Sequence, residues 1–281
     1  MQTGEPSRTA RGAAAHRAVH QTLEGGVIFA DPFALDILDD RTRASLPEMA
    51  GDPSHRLMRL FIAARSRFSE DMLAACVARG VRQIVVLGAG LDTFSLRNPY
   101  ANEGVRVFEV DYPATQGWKR ERLKQAGLAI PPSLTFAPID FERQSLAEGL
   151  VAAGVRADLP AFFQWLGVTP YLTREAVITT LDFIVCLPES EVVFDYAVPF
   201  DNFPPDRRAE VLAIAESAAA RGEPWLSLFD PAEMSELLQG RHFAETEDLS
   251  RAGLADLYYG DLKQGIDVAG AGPHLVRAKS R

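Results

Sequence analysis

Cysteine is nearly missing from this chain: two residues in 281, Cys76 and Cys186. Two thiols cannot build a disulfide framework, and both lie in apolar, patterned segments, so core packing in a reducing, cytoplasmic compartment is expected of each. Basic residues are also in deficit, 29 Lys and Arg against 38 Asp and Glu, a formal charge of −9. Such a balance argues against nucleic acid as a partner, because that binding rests on clustered Lys and Arg. No run reaches the roughly 20 apolar residues of a membrane-spanning helix, and the first 22 positions lack the apolar stretch of a secretory signal. There are only five histidines, at 16, 20, 55, 242 and 274; His16 and His20 stand alone, with no further ligand in metal-site spacing, so no metal site is expected. Repeats and low-complexity tracts are missing as well.

What is present reads as an α/β chain. Asp31-Pro32 and Asp52-Pro53 each place a capping residue before a proline suited to a first helical position. After the second, Leu57, Leu60, Phe61, Ala64, Phe68 and Met72 recur at helical spacing, with Gly80 as a stop. The pattern then changes to short β-branched or aromatic runs at 83–87, 105–110, 134–139, 161–166 and 192–198. Helical segments separate them, among them 114–125 and 174–187, the latter with Thr173 as N-cap. Strands alternating with helices predict a parallel sheet with helices on both faces.

Further on, Phe203-Pro204-Pro205 opens a helix over 206–221 that Gly222 closes. Asp230-Pro231-Ala232-Glu233 predicts another capped start, Glu233 reaching back to the cap. Runs at 242–246 and 274–278 suggest a final antiparallel pair, giving seven mostly parallel strands with one reversed edge. The expected arrangement is one domain: a helical N-terminal cap over 1–80, a core over 81–198, a lid insertion over 199–225, and the rest of the sheet over 226–281.

In open α/β sheets ligands lie beyond the carboxyl ends of the strands. Gly88-Ala89-Gly90 follows the first predicted strand there, and the second strand ends at Asp111, about 20 residues on, where an acid accepts hydrogen bonds from ribose hydroxyls. Glu109 is placed on the same strand face and is a candidate to share that task. Both NAD and S-adenosylmethionine (SAM) are bound by such a plan. A dinucleotide site wants a third glycine beside the pyrophosphate. Here that position is Thr93, preceded by the negative charge of Asp92, which disfavours a pyrophosphate and leaves an NAD(P)-dependent oxidoreductase as the alternative.

The residues Ala64-Arg65-Ser66-Arg67-Phe68, Val85 through Thr93 with Arg97, and Phe108-Glu109-Val110-Asp111-Tyr112-Pro113 with Lys119-Arg120 form an ordered set. It continues through Ile139-Asp140-Phe141, Gly167-Val168-Thr169-Pro170-Tyr171-Leu172, Phe194-Asp195-Tyr196 and Gly222-Glu223-Pro224. In these residues the chain resembles the leucine carboxyl methyltransferase family, especially its bacterial branch associated with polyketide O-methylation. The resemblance runs from about residue 7 to near 257. It implies a Rossmann-like SAM-methyltransferase fold, SAM as cofactor and a small-molecule acceptor.

By the same resemblance Gly88, Ala89 and Gly90 line the methionine part of SAM, and Asp111 holds the ribose diol. Asp140 and Phe141 meet the adenine, and Arg65 pairs with the SAM carboxylate, for which a bidentate donor is apt. Arg8 and Thr9 match a segment that folds over the site, and Tyr171 falls where acceptor is expected. One departure stands out: many members carry a glutamate where this chain has Leu166, which admits a non-catalytic SAM-binding protein as a further alternative. No residue presents itself as a general base, and that favours a carboxylate, already ionised at neutral pH, over a hydroxyl.

Overall fold

The computed structural model describes residues 7–140 and 144–281. Among these residues, seven strands form one sheet: β1 (Gln83–Leu87), β2 (Arg106–Asp111), β3 (Leu134–Pro138), β4 (Ala161–Trp165), β5 (Glu191–Tyr196), β6 (Glu245–Leu249) and β7 (His274–Lys279). Their order across the sheet is β3-β2-β1-β4-β5-β7-β6. The order reverses at β1, whose neighbours are β2 and β4, so the crevice between those strands opens directly beyond Leu87.

Alternation along each strand explains why helices cover both faces. Ile84 and Val86 face α3 (Arg56–Ala78) with Val107, Phe162 and Val193, where Phe61, Ala64 and Phe68 complete one apolar cluster. Val85 and Leu87 point the other way, with Phe108, Phe163 and Phe194, onto α6 (Leu146–Ala153), α7 (Arg174–Val185) and α9 (Pro231–Gly240). The central strands are therefore buried on both faces and mostly apolar, with single polar residues such as Glu109 and Gln164 enclosed among them. A third cluster joins Ala14 and Ala18 of α1 (Arg8–Leu23) to Ile37, Leu38, Leu91 and Leu123.

Several local expectations hold: Thr173 caps α7, Asp52 caps the turn before α3, and Asp230 caps α9. Others are corrected. Asp31-Pro32 opens a run of turns, not a helix, because the Asp31 carboxylate accepts from Arg17 and Thr93 as well as from Phe33 N. Glu233 pairs with Arg174 instead of returning to its cap. Residues 242–244 close α9, with His242 at φ +63°, so β6 begins at Glu245.

The reversed strand is β7, and it is not the edge: β6 pairs outside it, antiparallel to it. β6 carries Glu245, Glu247 and Asp248 and is largely exposed, a charged edge that resists pairing with another chain. Cys76 is buried, its thiol pushed up to about 12 chiefly by burial, whereas Cys186 is exposed at the end of α7 and is not core. No helix among the described residues is long and apolar enough to cross a membrane. The helix over the predicted insertion, α8 (Pro205–Ala220), is mostly exposed, with only Ala218 fully buried.

Candidate functional site

The turn after β1 is stitched to β2. Ala89 N donates to Val110 O at 2.9 Å and Gly90 N to Asp111 Oδ2 at 2.5 Å, while Tyr112 N donates to Asp111 Oδ1 at 2.7 Å. Asp111 thus spans the end of its strand and the glycine turn. Burial pushes its carboxyl above the usual range against the pull of the two amides. Each oxygen keeps acceptor capacity, since an ionised carboxylate takes about four donors.

The residues after the turn are braces. Asp92 accepts from Phe94 N and from Gln164 Nε2, and its carbonyl takes Lys119 Nζ at 2.7 Å. Thr93, at the third-glycine position, donates its hydroxyl to Asp31 Oδ2 at 2.8 Å, and Arg17 joins Asp31 to Leu91 O. A side chain at position 93 is therefore part of the wall, where a dinucleotide turn would have none.

Glu109 does not stand with Asp111. Its side chain is wholly buried, Oε1 accepting from Ser95 Oγ and Oε2 from Lys119 Nζ, both at 2.6 Å. Burial raises its carboxyl, opposed by Lys119. An acid enclosed by those partners braces α5 (Pro113–Gln125) against the sheet and has no path to a ribose.

Arg65 projects from α3 to the far side of the crevice. Its Nη1 donates to Asp195 Oδ2 at 2.7 Å, and Asp195 Oδ1 accepts from Gly167 N at 2.5 Å. Gly167, at φ +74°, lies under the guanidinium so closely that a Cβ there would stand 2.8 Å from Arg65 Nη2. The arginine is 8% exposed, yet its Nε is a buried donor with no partner among the described residues.

Tyr171 ends the short turn Thr169–Tyr171 after β4, with Trp225, Glu223, Arg65 and Asp195 around its side chain. Burial raises its phenol, which stays protonated at neutral pH. The N-terminal segment reaches the same place. Ser7 Oγ and Arg8 N donate to Glu223 Oε1 at 2.7 and 2.9 Å, and Thr9 N to Oε2 at 3.1 Å. Ala10, one residue on, lies against the glycine turn, its methyl carbon 2.9 Å from where a Gly90 Cβ would be.

Asp140 lies just past β3, where its main chain bonds both ways with Gln144; Phe141 is outside the described residues. Leu166 packs against the α3-side apolar cluster and offers no acceptor. The structure thus gathers Arg65, Gly88, Ala89, Gly90, Asp111, Asp140 and Tyr171 along the carboxyl edge of the sheet and sets Glu109 apart. It adds two residues to which sequence reasoning gave no role, Asp195 and Glu223. Asp195 had a signal, an acid at a strand end like Asp111; Glu223 stood in the matched Gly222-Glu223-Pro224 segment, but its partners lie 214 to 216 positions away and the segment alone gives no role.

The model of the leucine carboxyl methyltransferase family matches residues 10–185. YktD of Bacillus subtilis (strain 168), named as a putative S-adenosyl-L-methionine-dependent methyltransferase, is 32% identical over 95% of each chain. SCO7813 of Streptomyces coelicolor, named likewise, is 34% identical over 60% of each. Among solved structures, a putative methyltransferase from Thermobifida fusca shares the fold with a TM-score of 0.61 at 16% identity, covering 100% of this chain and 97% of its own. A DUF574 family protein from Streptomyces avermitilis does so with a TM-score of 0.58 at 17% identity, covering 98% and 99%. The chain belongs to the leucine carboxyl methyltransferase family of SAM-dependent methyltransferases.

Proposed function

We propose that this protein transfers the methyl group of SAM to an oxygen of a small molecule, and that the oxygen is a carboxylate. Bound SAM supplies an electrophilic methyl on a sulfonium. The residues present fit that cofactor: the unpartnered Nε of buried Arg65 suits its carboxylate, and the spare acceptor capacity of Asp111 suits a ribose diol. Asp140 stands at the next strand end for the adenine, and the Gly88–Gly90 turn brings bare backbone to the amino-acid portion.

One observation supports a carboxylate in particular. His16, which has Arg65 among its neighbours, is pushed down to about 3 by burial and by His55, Arg59 and Arg65. An imidazole that weakly basic is a poor acceptor for an alcohol or phenol proton. Burial likewise keeps the Tyr171 phenol neutral, so it offers no base either. An acceptor that arrives ionised needs neither group as a base, only placement and shelter from water. Transfer to a carboxylate also annihilates charge, which an enclosed site favours.

The test is to identify the product formed with methyl-labelled SAM and a panel of small carboxylic acids and phenols. An alkali-labile ester is expected. An alkali-stable ether would overturn the carboxylate assignment while leaving methyl transfer intact.

A further inference from the structure

We propose that Glu223 is a positioning residue for methyl transfer, a latch that holds the first turn of α1 over the Gly88–Gly90 turn and joins the cofactor wall to the acceptor wall at Tyr171. This rests on reading the site as a SAM site. The carboxylate takes one hydroxyl and two main-chain N–H groups at the start of α1, from Ser7, Arg8 and Thr9. A free helix start needs such partners, and negative charge is favoured there. Ser7 caps α1 locally by accepting from Ala10 N, and water serves N–H groups that are not fully buried, such as the two that remain, so the helix by itself does not call for an acceptor from the other end of the chain.

What Glu223 adds is location. The turn it holds carries Ala10 onto Gly90, so it fixes the chain that covers the glycine turn. The residues after it are tied to the acceptor side. Trp225 stacks on Phe200 at 6.1 Å, Leu226 N donates to Pro170 O at 2.6 Å, and Ser227 Oγ donates to Thr169 O at 2.8 Å. Tyr171 stands in the same loop and has Glu223 among its charged neighbours. One short segment thus bonds to α1 at one end and to the Thr169–Tyr171 turn at the other. With the latch closed, the cofactor's methionine end is covered by α1 and the acceptor pocket is shaped by the same contact. Exchange of cofactor for demethylated product requires the carboxylate to let go.

The experiment compares wild type, Glu223→Ala and Glu223→Gln in two readouts. The first is the dissociation rate of S-adenosylhomocysteine together with KM for SAM and kcat. The second is amide hydrogen exchange at residues 8–10 without ligand. The Ala variant is expected to raise the dissociation rate and KM by about tenfold, with kcat changing by a smaller factor, and to lose protection at Arg8 and Thr9. The Gln variant, keeping one acceptor oxygen, should fall between, and it serves in place of Ala should Ala not fold. Wild-type dissociation and KM in a folded variant would overturn the proposal, even if exchange increased. A wild-type protein that binds no SAM would instead overturn the SAM reading. Loss of Arg8 and Thr9 protection in the Ala variant would still report the latch contact by itself.

Discussion

Replacing Lys119 with Met removes the cation that faces Glu109 in a fully enclosed place. The two side chains are 1% and 0% exposed, their contact is 2.6 Å, and among the described residues the other side-chain partner of that carboxylate is the Ser95 hydroxyl. Leaving one member of such a pair uncompensated destabilises a fold by about 3–5 kcal/mol. The lost bond from Lys119 to Asp92 O contributes about 1 kcal/mol of that change. Against a total stability of about 5–15 kcal/mol the effect is large.

The loss also depends on pH, and its sign is fixed. Burial already raises the Glu109 carboxyl, and without Lys119 it rises further, so the folded state retains a proton that the unfolded state releases above about 4.3. Stability of the variant therefore falls as pH rises from that value, by up to about 1.4 kcal/mol per unit until the folded group ionises; wild type, whose Glu109 is raised less, stops falling first, and the gap between the two widens above that point. Urea unfolding at pH 5 and pH 7 reads this directly. The double variant Glu109→Gln with Lys119→Met removes both charges and should recover most of the loss, with SAM affinity within a few-fold of wild type. A Lys119→Met cost below about 1 kcal/mol, or one independent of pH, would refute the reasoning.

Two further outcomes follow from the geometry. Gly88→Ala places a methyl 2.4 Å from Val168 Cγ2 at φ +64° and should cost about 2–5 kcal/mol; adding Val168→Ala should return the packing part but not the backbone part, as a double-mutant cycle of unfolding free energies will measure. His16, held neutral down to about 3 against about 6.5 unfolded, makes stability fall as pH drops through that window by up to about 1.4 kcal/mol per unit; His16→Gln should flatten the slope of unfolding free energy between pH 6.5 and 4, and an unchanged slope would refute it.

The strand, glycine turn and following acid were legible because each is local. A β-branched run, two glycines and an aspartate at a strand end state their geometry within a few residues. What failed involved partners far along the chain. Asp31-Pro32 carries a helix-start signal, but Arg17 and Thr93 claim the carboxylate. Glu109 and Asp111 share a strand face by spacing, yet only the contact with Lys119 on α5 reveals that one is walled in. The alternation in β7 shows a strand but not that β6 pairs outside it. Cys186 sits in an apolar segment on the helix side that faces away from the core. Glu223 stands in the matched Gly222-Glu223-Pro224 segment, but its role shows only once α1 is folded against it.

The central claim is that the glycine turn and Asp111 form a SAM site. Calorimetric titration of SAM into wild type, Asp111→Asn and Glu109→Gln tests it most directly. One site per chain is predicted, weakened by roughly 10–100-fold in Asp111→Asn through loss of a charged acceptor and held within a few-fold in Glu109→Gln. Binding of NADP without SAM, or SAM binding indifferent to Asp111→Asn, would contradict it.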